Sequence, residues 1–313
     1  MSGDPVDQLP ILSDASLHTV DWRRLRANDE NESRKLIEAG QTQGFFYLDM
    51  TSDEVFLQDW SSILQTMDLY FHRGLEEKMM DHRKSDTHGY EPVGTSSGAV
   101  KDLPDYYESL KASRKEVLSN STETLPSIVS DNHSVFLRFN STAHHVLMTV
   151  LRRFSINLCL GQDLELEKFH RDGQDSLTTL AMFRYPKQDT FTQWGLQVLS
   201  TKETGWHFVA PRKGHVVINV GDTLRFLSGY RLRSGVHRVM PTQDLQHEDR
   251  YSIAYFLRAE DTTVLFEGSM GRVVTAKDWH DEKFDVFREP HEKQEQARVL
   301  TGGMEQGEAL ISI

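Results

Sequence analysis

Residues 215–240 read HVVINVGDTLRFLSGYRLRSGVHRVM, two strand-like runs around a Gly-Asp turn. The first is dense in β-branched residues, and the second ends in GVHRVM. Runs of the same kind lie on either side. LTTLAMFRY, WGLQVLS and WHFVAP come before, and RYSIAYFL and TTVLFE come after. All are short, rich in β-branched and aromatic residues, and separated by Gly, Pro, Asp and Lys, which is the signature of successive strands. Upstream the pattern differs. Phe56, Trp60, Ile63, Leu64, Met67, Phe71 and Leu75 keep helical spacing over residues 55–80, and Phe139, Ala143, Val146, Leu147, Val150 and Phe154 do so over 135–158. These stripes predict two amphipathic helices. GFFYL, residues 44–48, predicts a buried strand. Residues 88–110, HGYEPVGTSSGAVKDLPDYYESL, predict a loop with short extended pieces.

Helices followed by many short strands predict an α+β chain whose core is a double-sheet barrel or jelly roll with supporting helices. The expected organisation is a mostly helical region at 1–130, a long helix and connector at 131–174, the jelly-roll core at 175–268, and a helix with a polar, loose tail at 269–313. Thr275 is the expected N-cap of that last helix.

Bulk properties narrow the function. A net charge of −12 argues against a nucleic-acid partner. No apolar run is long enough for a membrane span, and MSGDPVDQLP is unlike a secretory leader, so a cytoplasmic location is expected. The single cysteine, Cys159, excludes a disulfide framework and reads as a small buried hydrophobe.

Three residues stand out chemically. A neutral imidazole on a rigid strand, His237, suits a divalent transition metal. Arg250 on the next strand offers a fork that matches a carboxylate. Ser252 lies on the same strand face, because side chains alternate. Taken alone, a strand histidine and an Arg–x–Ser pair are each common in purely structural settings.

The surrounding motifs give this set a context. LPIL, QGFFYL, HGYEPVG, DYYES, MFRYP, WGLQVL, HVVINVGDTLRFLSGYRLRSGVHRV and RYSIAYFL together resemble the Fe(II)- and 2-oxoglutarate-dependent dioxygenases of the isopenicillin N synthase-like family, most closely its fungal members. The resemblance covers nearly the whole chain. It implies a distorted double-stranded β-helix, with Fe(II) as cofactor and 2-oxoglutarate and molecular oxygen as cosubstrates. His237 matches an iron-binding histidine. Arg250 and Ser252 match the pair that holds the 2-oxoglutarate carboxylate. Tyr185 matches a tyrosine that contacts the same cosubstrate, its alternative being a packed strand aromatic. Asn219, Gly221 and Asp222 match turn residues that shape the fold. The implied reaction is hydroxylation, desaturation or cyclisation of a small molecule of specialised metabolism.

One part of the pattern is missing. The resemblance implies a loop, a His–x–Asp pair supplying two iron ligands, and a further strand between the MFRYP and WGLQVL strands. Here Pro186 is joined to Trp194 by KQDTFTQ alone. One core strand is therefore expected to be lost. Among substitutes, Asp189 lies near the join without a histidine. His207 and His215 read as packed strand residues. The string His170-Arg171-Asp172 precedes the barrel. Two other readings follow: an inactive relic or misread gene product acting at most as a binding protein, and an enzyme of another kind built on His170 and Asp172.

Overall fold

The computed structural model describes residues 14–96, 105–119, 123–187, 192–200, 205–245, 248–267, 272–294 and 296–301. Its helices are α1 (Trp22–Arg26), α2 (Glu30–Thr42), α3 (Glu54–Phe71), α4 (Leu75–Met79), α5 (Arg114–Leu118), α6 (Ser127–Asp131), α7 (His133–Asn157), α8 (Asp222–Leu227), α9 (Ala276–Phe287) and α10 (His291–Gln294). The long stripe of α7 is buried as its spacing requires, and Phe139 stacks on Phe56 of α3 at 5.0 Å. Thr275 caps α9 in a reciprocal box with Asp278. The helix expected over 55–80 is broken: it stops at Phe71 and restarts as α4 after Gly74. The break carries Lys78 inward to an ion pair with Glu108, which an uninterrupted exposed helix would not make. Cys159 is also not where the sequence put it. It is exposed, just past the end of α7, with φ of +49°. The tail is less loose than expected, since α10 is followed by a helical turn in which Val299 is buried.

The strands are β1 (His18–Asp21), β2 (Phe45–Asp49), β3 (Gly89–Glu91), β4 (Glu108–Ser113), β5 (Thr179–Tyr185), β6 (Thr192–Leu199), β7 (Trp206–Phe208), β8 (His215–Asn219), β9 (His237–Leu245), β10 (Arg250–Phe256), β11 (Val264–Glu267) and β12 (Val273–Thr275). They form four sheets: β1-β2-β8, β10-β5-β4-β3, β7-β6-β9 and β11-β12. The expected mixture of helices and antiparallel strands is present; the run after Gly221, by contrast, is the short helix α8.

β2 sits between two cores. Phe46 and Leu48 face the large helical core, while Phe45 and Tyr47 face a small inner cluster with Leu17, Val198 and Val209. That is the strand's two-residue period at work. Gly44 just before it has φ of +69°, and a Cβ there would fall 2.4 Å from the Arg233 carbonyl oxygen. A Cβ on Gly235 would fall 2.3 Å from the Phe45 ring. The segment leading into β9 therefore lies directly on β2, and Gly44 before β2 and Gly235 before β9 make that approach possible.

A buried charge network ties β3, β4 and β5 to the helices. Glu108 accepts from Lys78 Nζ at 2.6 Å, from the Tyr90 hydroxyl at 2.5 Å and from Arg184 Nη1 at 2.9 Å. Arg184 also donates to Asp249 at 2.6 Å and to the Phe71 carbonyl at 2.8 Å. Burial raises the Tyr90 hydroxyl above its ordinary range, and the bonded Glu108 adds to this.

Candidate active site

His237, Arg250, Ser252 and Tyr185 all line one cavity of ≈ 1820 Å³. β10 runs antiparallel to β5, with Arg250 opposite Tyr185 and Ser252 opposite Phe183. The Arg250 guanidinium carbon lies 4.8 Å from the centre of the Tyr185 ring, within cation–π range. Nη1 of Arg250 is buried and has no hydrogen-bond partner among the described residues. Asp249, which could have drawn Arg250 outward, is taken by Arg184 and by the backbone N–H of Lys187 at 2.7 Å. Burial pushes the Tyr185 hydroxyl up, and Arg250 pulls it back.

His237 opens β9 across from Val198 and packs edge-on to Phe45 at 5.4 Å. Its Nδ1 lies 3.1 Å from the Gly235 carbonyl. A carbonyl can only accept, so Nδ1 carries the proton and Nε2 keeps its lone pair, the tautomer a metal ligand needs. The residue is exposed at the wall of the cavity, and protein packs closely around its ring. That enclosure depresses its basicity.

Two residues beside this set gave no signal of their own in the sequence. Tyr107 packs against Phe183 at 5.3 Å and Tyr185 at 5.7 Å. Burial, with Glu91 nearby, raises the Asp105 carboxyl to about 7. DYYES marks their position in the chain, but only the pairing of β4 with β5 brings them to the cavity.

The donor set suits a carboxylate better than a metal. An orphaned, buried guanidinium nitrogen beside a serine fits the distal carboxylate of a small diacid. For iron the fit fails: among the described residues no group of three or more His, Cys, Asp or Glu could hold a metal ion. Asp222 is not available as a substitute. Burial pushes its carboxyl up, but Lys283 at 2.7 Å and Ser234 at 2.7 Å hold it below the ordinary range. His215 is engaged by the Lys213 carbonyl at 2.9 Å. His207 is buried on β7. Asp189 lies outside the described residues.

The His170 and Asp172 reading is overturned. His170 is buried, its Nδ1 donating to the Leu166 carbonyl at 2.8 Å. Asp172 accepts the fork of Arg114 at 2.7 and 2.8 Å. Burial lowers His170 to about 4. A depressed folded-state pKa favours the fold above the ordinary histidine range, and this contribution is lost as pH falls through about 4. The His170 ring resonances should therefore stay constant from about pH 8 to about pH 5. Titration near pH 6.5 would show that the ring is not enclosed as described.

Among the described residues no helix is long and apolar enough to cross a membrane. The family model of the 2OG-Fe(II) oxygenase superfamily matches residues 168–259. Oxidoreductase vrtI of Penicillium aethiopicum is 55% identical across 96% of this chain and 78% of its own length. The 2-oxoglutarate-dependent dioxygenase frbH of Dothideomycetidae sp. is 52% identical across 96% of this chain and 99% of its own. The alignment with the Penicillium protein runs over 323 residues, more than the 313 of this chain, so it opens gaps here. Among solved structures, a full-length Neurospora crassa protein in complex with alpha-KG has a TM-score of 0.66 at 17% identity, covering 86% of this chain and 96% of its own. JOX2 in complex with 2OG, Fe and JA also scores 0.66, at 19% identity, covering 92% and 91%. These last two share the fold, a jelly-roll core with supporting helices. With the curated relatives, they place the chain: it belongs to the 2-oxoglutarate-dependent dioxygenases, oxidoreductases that use Fe(II), 2-oxoglutarate and molecular oxygen on small-molecule substrates.

Proposed function

We propose that the cavity between β5, β9 and β10 is the 2-oxoglutarate site of a small-molecule oxygenase, and that it belongs to a core spanning residues 175–268. Arg250 holds the distal carboxylate through its fork, Ser252 donates a further hydrogen bond, and Tyr185 walls the guanidinium against sliding. His237 presents Nε2 as one metal position. In the family reaction molecular oxygen would be the four-electron oxidant, with two electrons given by 2-oxoglutarate as it becomes succinate and carbon dioxide and two by the substrate, which would be hydroxylated, desaturated or cyclised. The fungal relatives support a substrate from specialised metabolism. They favour the enzyme reading over that of a binding protein. The observation that carries the carboxylate assignment is the buried, unpartnered Nη1 of Arg250.

Calorimetry tests it without turnover. Arg250 reads only a carboxylate, so in the absence of metal 2-oxoglutarate and glutarate should bind this chain with similar affinity. Arg250→Ala should weaken both by roughly 10–100-fold, the value of a charge-assisted hydrogen-bond pair. Binding that is unchanged in Arg250→Ala would place the carboxylate elsewhere.

A further inference from the structure

Arg258 lies just past the end of β10 and, like Arg250 at its start, lines the cavity. Its Nε is buried without a hydrogen-bond partner, and among the described residues no carboxylate pairs with its guanidinium. The carboxylates of the neighbourhood are taken. Asp222 is held by Lys283, by Ser234 and by Trp279 Nε1 at 3.4 Å. Glu260 accepts the fork of Arg171 at 2.7 and 2.8 Å. Asp281 is bonded by Lys277 and by His280 Nδ1 at 3.1 Å. Burial lowers Arg258 to about 10, with Asp222 pulling the other way. A charge enclosed without a partner destabilises the fold, so its presence points to a ligand that brings the missing charge.

The backbone of Arg258 is fixed in place. Its N–H donates to the Thr178 hydroxyl at 3.1 Å, and that hydroxyl donates to the Arg258 carbonyl at 3.2 Å. The guanidinium carbon lies 5.2 Å from the centre of the Phe256 ring. On the facing side stands α9. Burial, and after it Arg258, lowers the basicity of His280, which stacks on Phe284 at 4.4 Å. Trp279, His280 and Phe284 all line the cavity. The guanidinium therefore looks onto aromatic rings and no free anion. Phe256 pairs with Thr179, and Glu260 still bridges to Ser176, so the chain stays extended past β10. The eight residues from Arg250 to Arg258 then span roughly 25 Å. A molecule of 2-oxoglutarate held at Arg250 is far too short to reach Arg258.

We infer that Arg258 is a second anion site of the cavity, one that reads a carboxylate on the substrate while the rings of α9 hold the substrate's flat, apolar body. The substrate class is then a small organic acid with an aromatic or similarly planar frame. Its carboxylate takes the guanidinium that no protein group pairs with, and Trp279 and Phe284 supply apolar faces beside it. That this acid is the substrate rests on the oxygenase reading above. The anion site itself rests on Arg258 and its surroundings.

Two probes test it by calorimetry on the metal-free chain with 2-oxoglutarate in excess: 2-naphthoate, and 2-naphthamide, which has the same rings without the charge. The naphthoate should bind at least about tenfold more tightly than the amide. Arg258→Met should weaken naphthoate by roughly 10–100-fold and leave 2-oxoglutarate binding as it was. Arg258→Lys, which keeps the charge without the fork, should fall between the two. Arg250→Ala should leave naphthoate binding intact. Equal binding of naphthoate to the parent chain and Arg258→Met, or its loss in Arg250→Ala instead, would overturn the site. Thermal unfolding separates a structural role. Arg258→Met should melt no lower than the parent, because it removes a charge that no protein group balances. A fall of more than about 4 °C would show that the fold itself uses the guanidinium, and would also overturn the site. If 2-oxoglutarate binding proves independent of Arg250 while naphthoate still needs Arg258, the cosubstrate assignment falls and the anion site stands.

Discussion

Ferrous iron titrated anaerobically into this chain with 2-oxoglutarate present should leave well under one bound metal per chain and no visible charge-transfer band. The chemistry needs three protein ligands that leave open positions for cosubstrate and oxygen. His237 offers one, in the right tautomer, and among the described residues no group of three ligating side chains includes it. A single imidazole competes poorly with water for a labile divalent ion. Stoichiometric binding with the coloured chelate would reveal a ligand set that the described residues do not contain.

The second large effect is on the fold. Glu108→Ala should destabilise the protein by about 3–5 kcal/mol, the range for removing one partner of a buried ion pair. Glu108 and Lys78 are both buried, and the carboxylate is shared by Lys78, Tyr90 and Arg184. Its loss leaves the Lys78 ammonium without a counter-charge, held by the Phe71 carbonyl at 3.0 Å and the face of the Tyr90 ring at 5.4 Å. Tyr90→Phe removes one hydroxyl donor from the same carboxylate and should cost less, about 1.5–3 kcal/mol, the range for a hydrogen bond to a charged group. Urea denaturation of the three proteins measures both. A loss below about 1 kcal/mol for Glu108→Ala would mean that water reaches Lys78.

What could be read in the sequence was what depends on neighbours in the chain. The spacing of Phe139, Val146, Val150 and Phe154 gave α7, and Thr275 marked the start of α9, because helix stripes and caps are local. The strands announced themselves by composition, and the family motifs picked out His237, Arg250, Ser252 and Tyr185. What escaped depends on contacts distant in sequence. Nothing near Gly74 shows that Lys78 must turn inward to meet Glu108. Nothing near Gly44 shows that residues 233–235 will press against it. Tyr107 and Asp105 reach the cavity through a strand pairing that no local pattern reveals. The departure from the family pattern between MFRYP and WGLQVL could be read only because both flanks were recognisable.

Because β2 is apolar toward both sides, sliding it one residue along its neighbours would exchange Phe45 and Tyr47 for Phe46 and Leu48 with no apolar side chain sent into water. Hydrophobic alternation, which fixes alignment in most half-buried strands, is therefore silent here. The choice falls to single atoms: the Tyr47 hydroxyl, which donates to the Ala210 carbonyl at 2.6 Å, and the Arg212 guanidinium, 3.9 Å from the centre of the Tyr47 ring. One phenol thus acts as the indexing pin that tells the strand which of two equally greasy alignments is the native one.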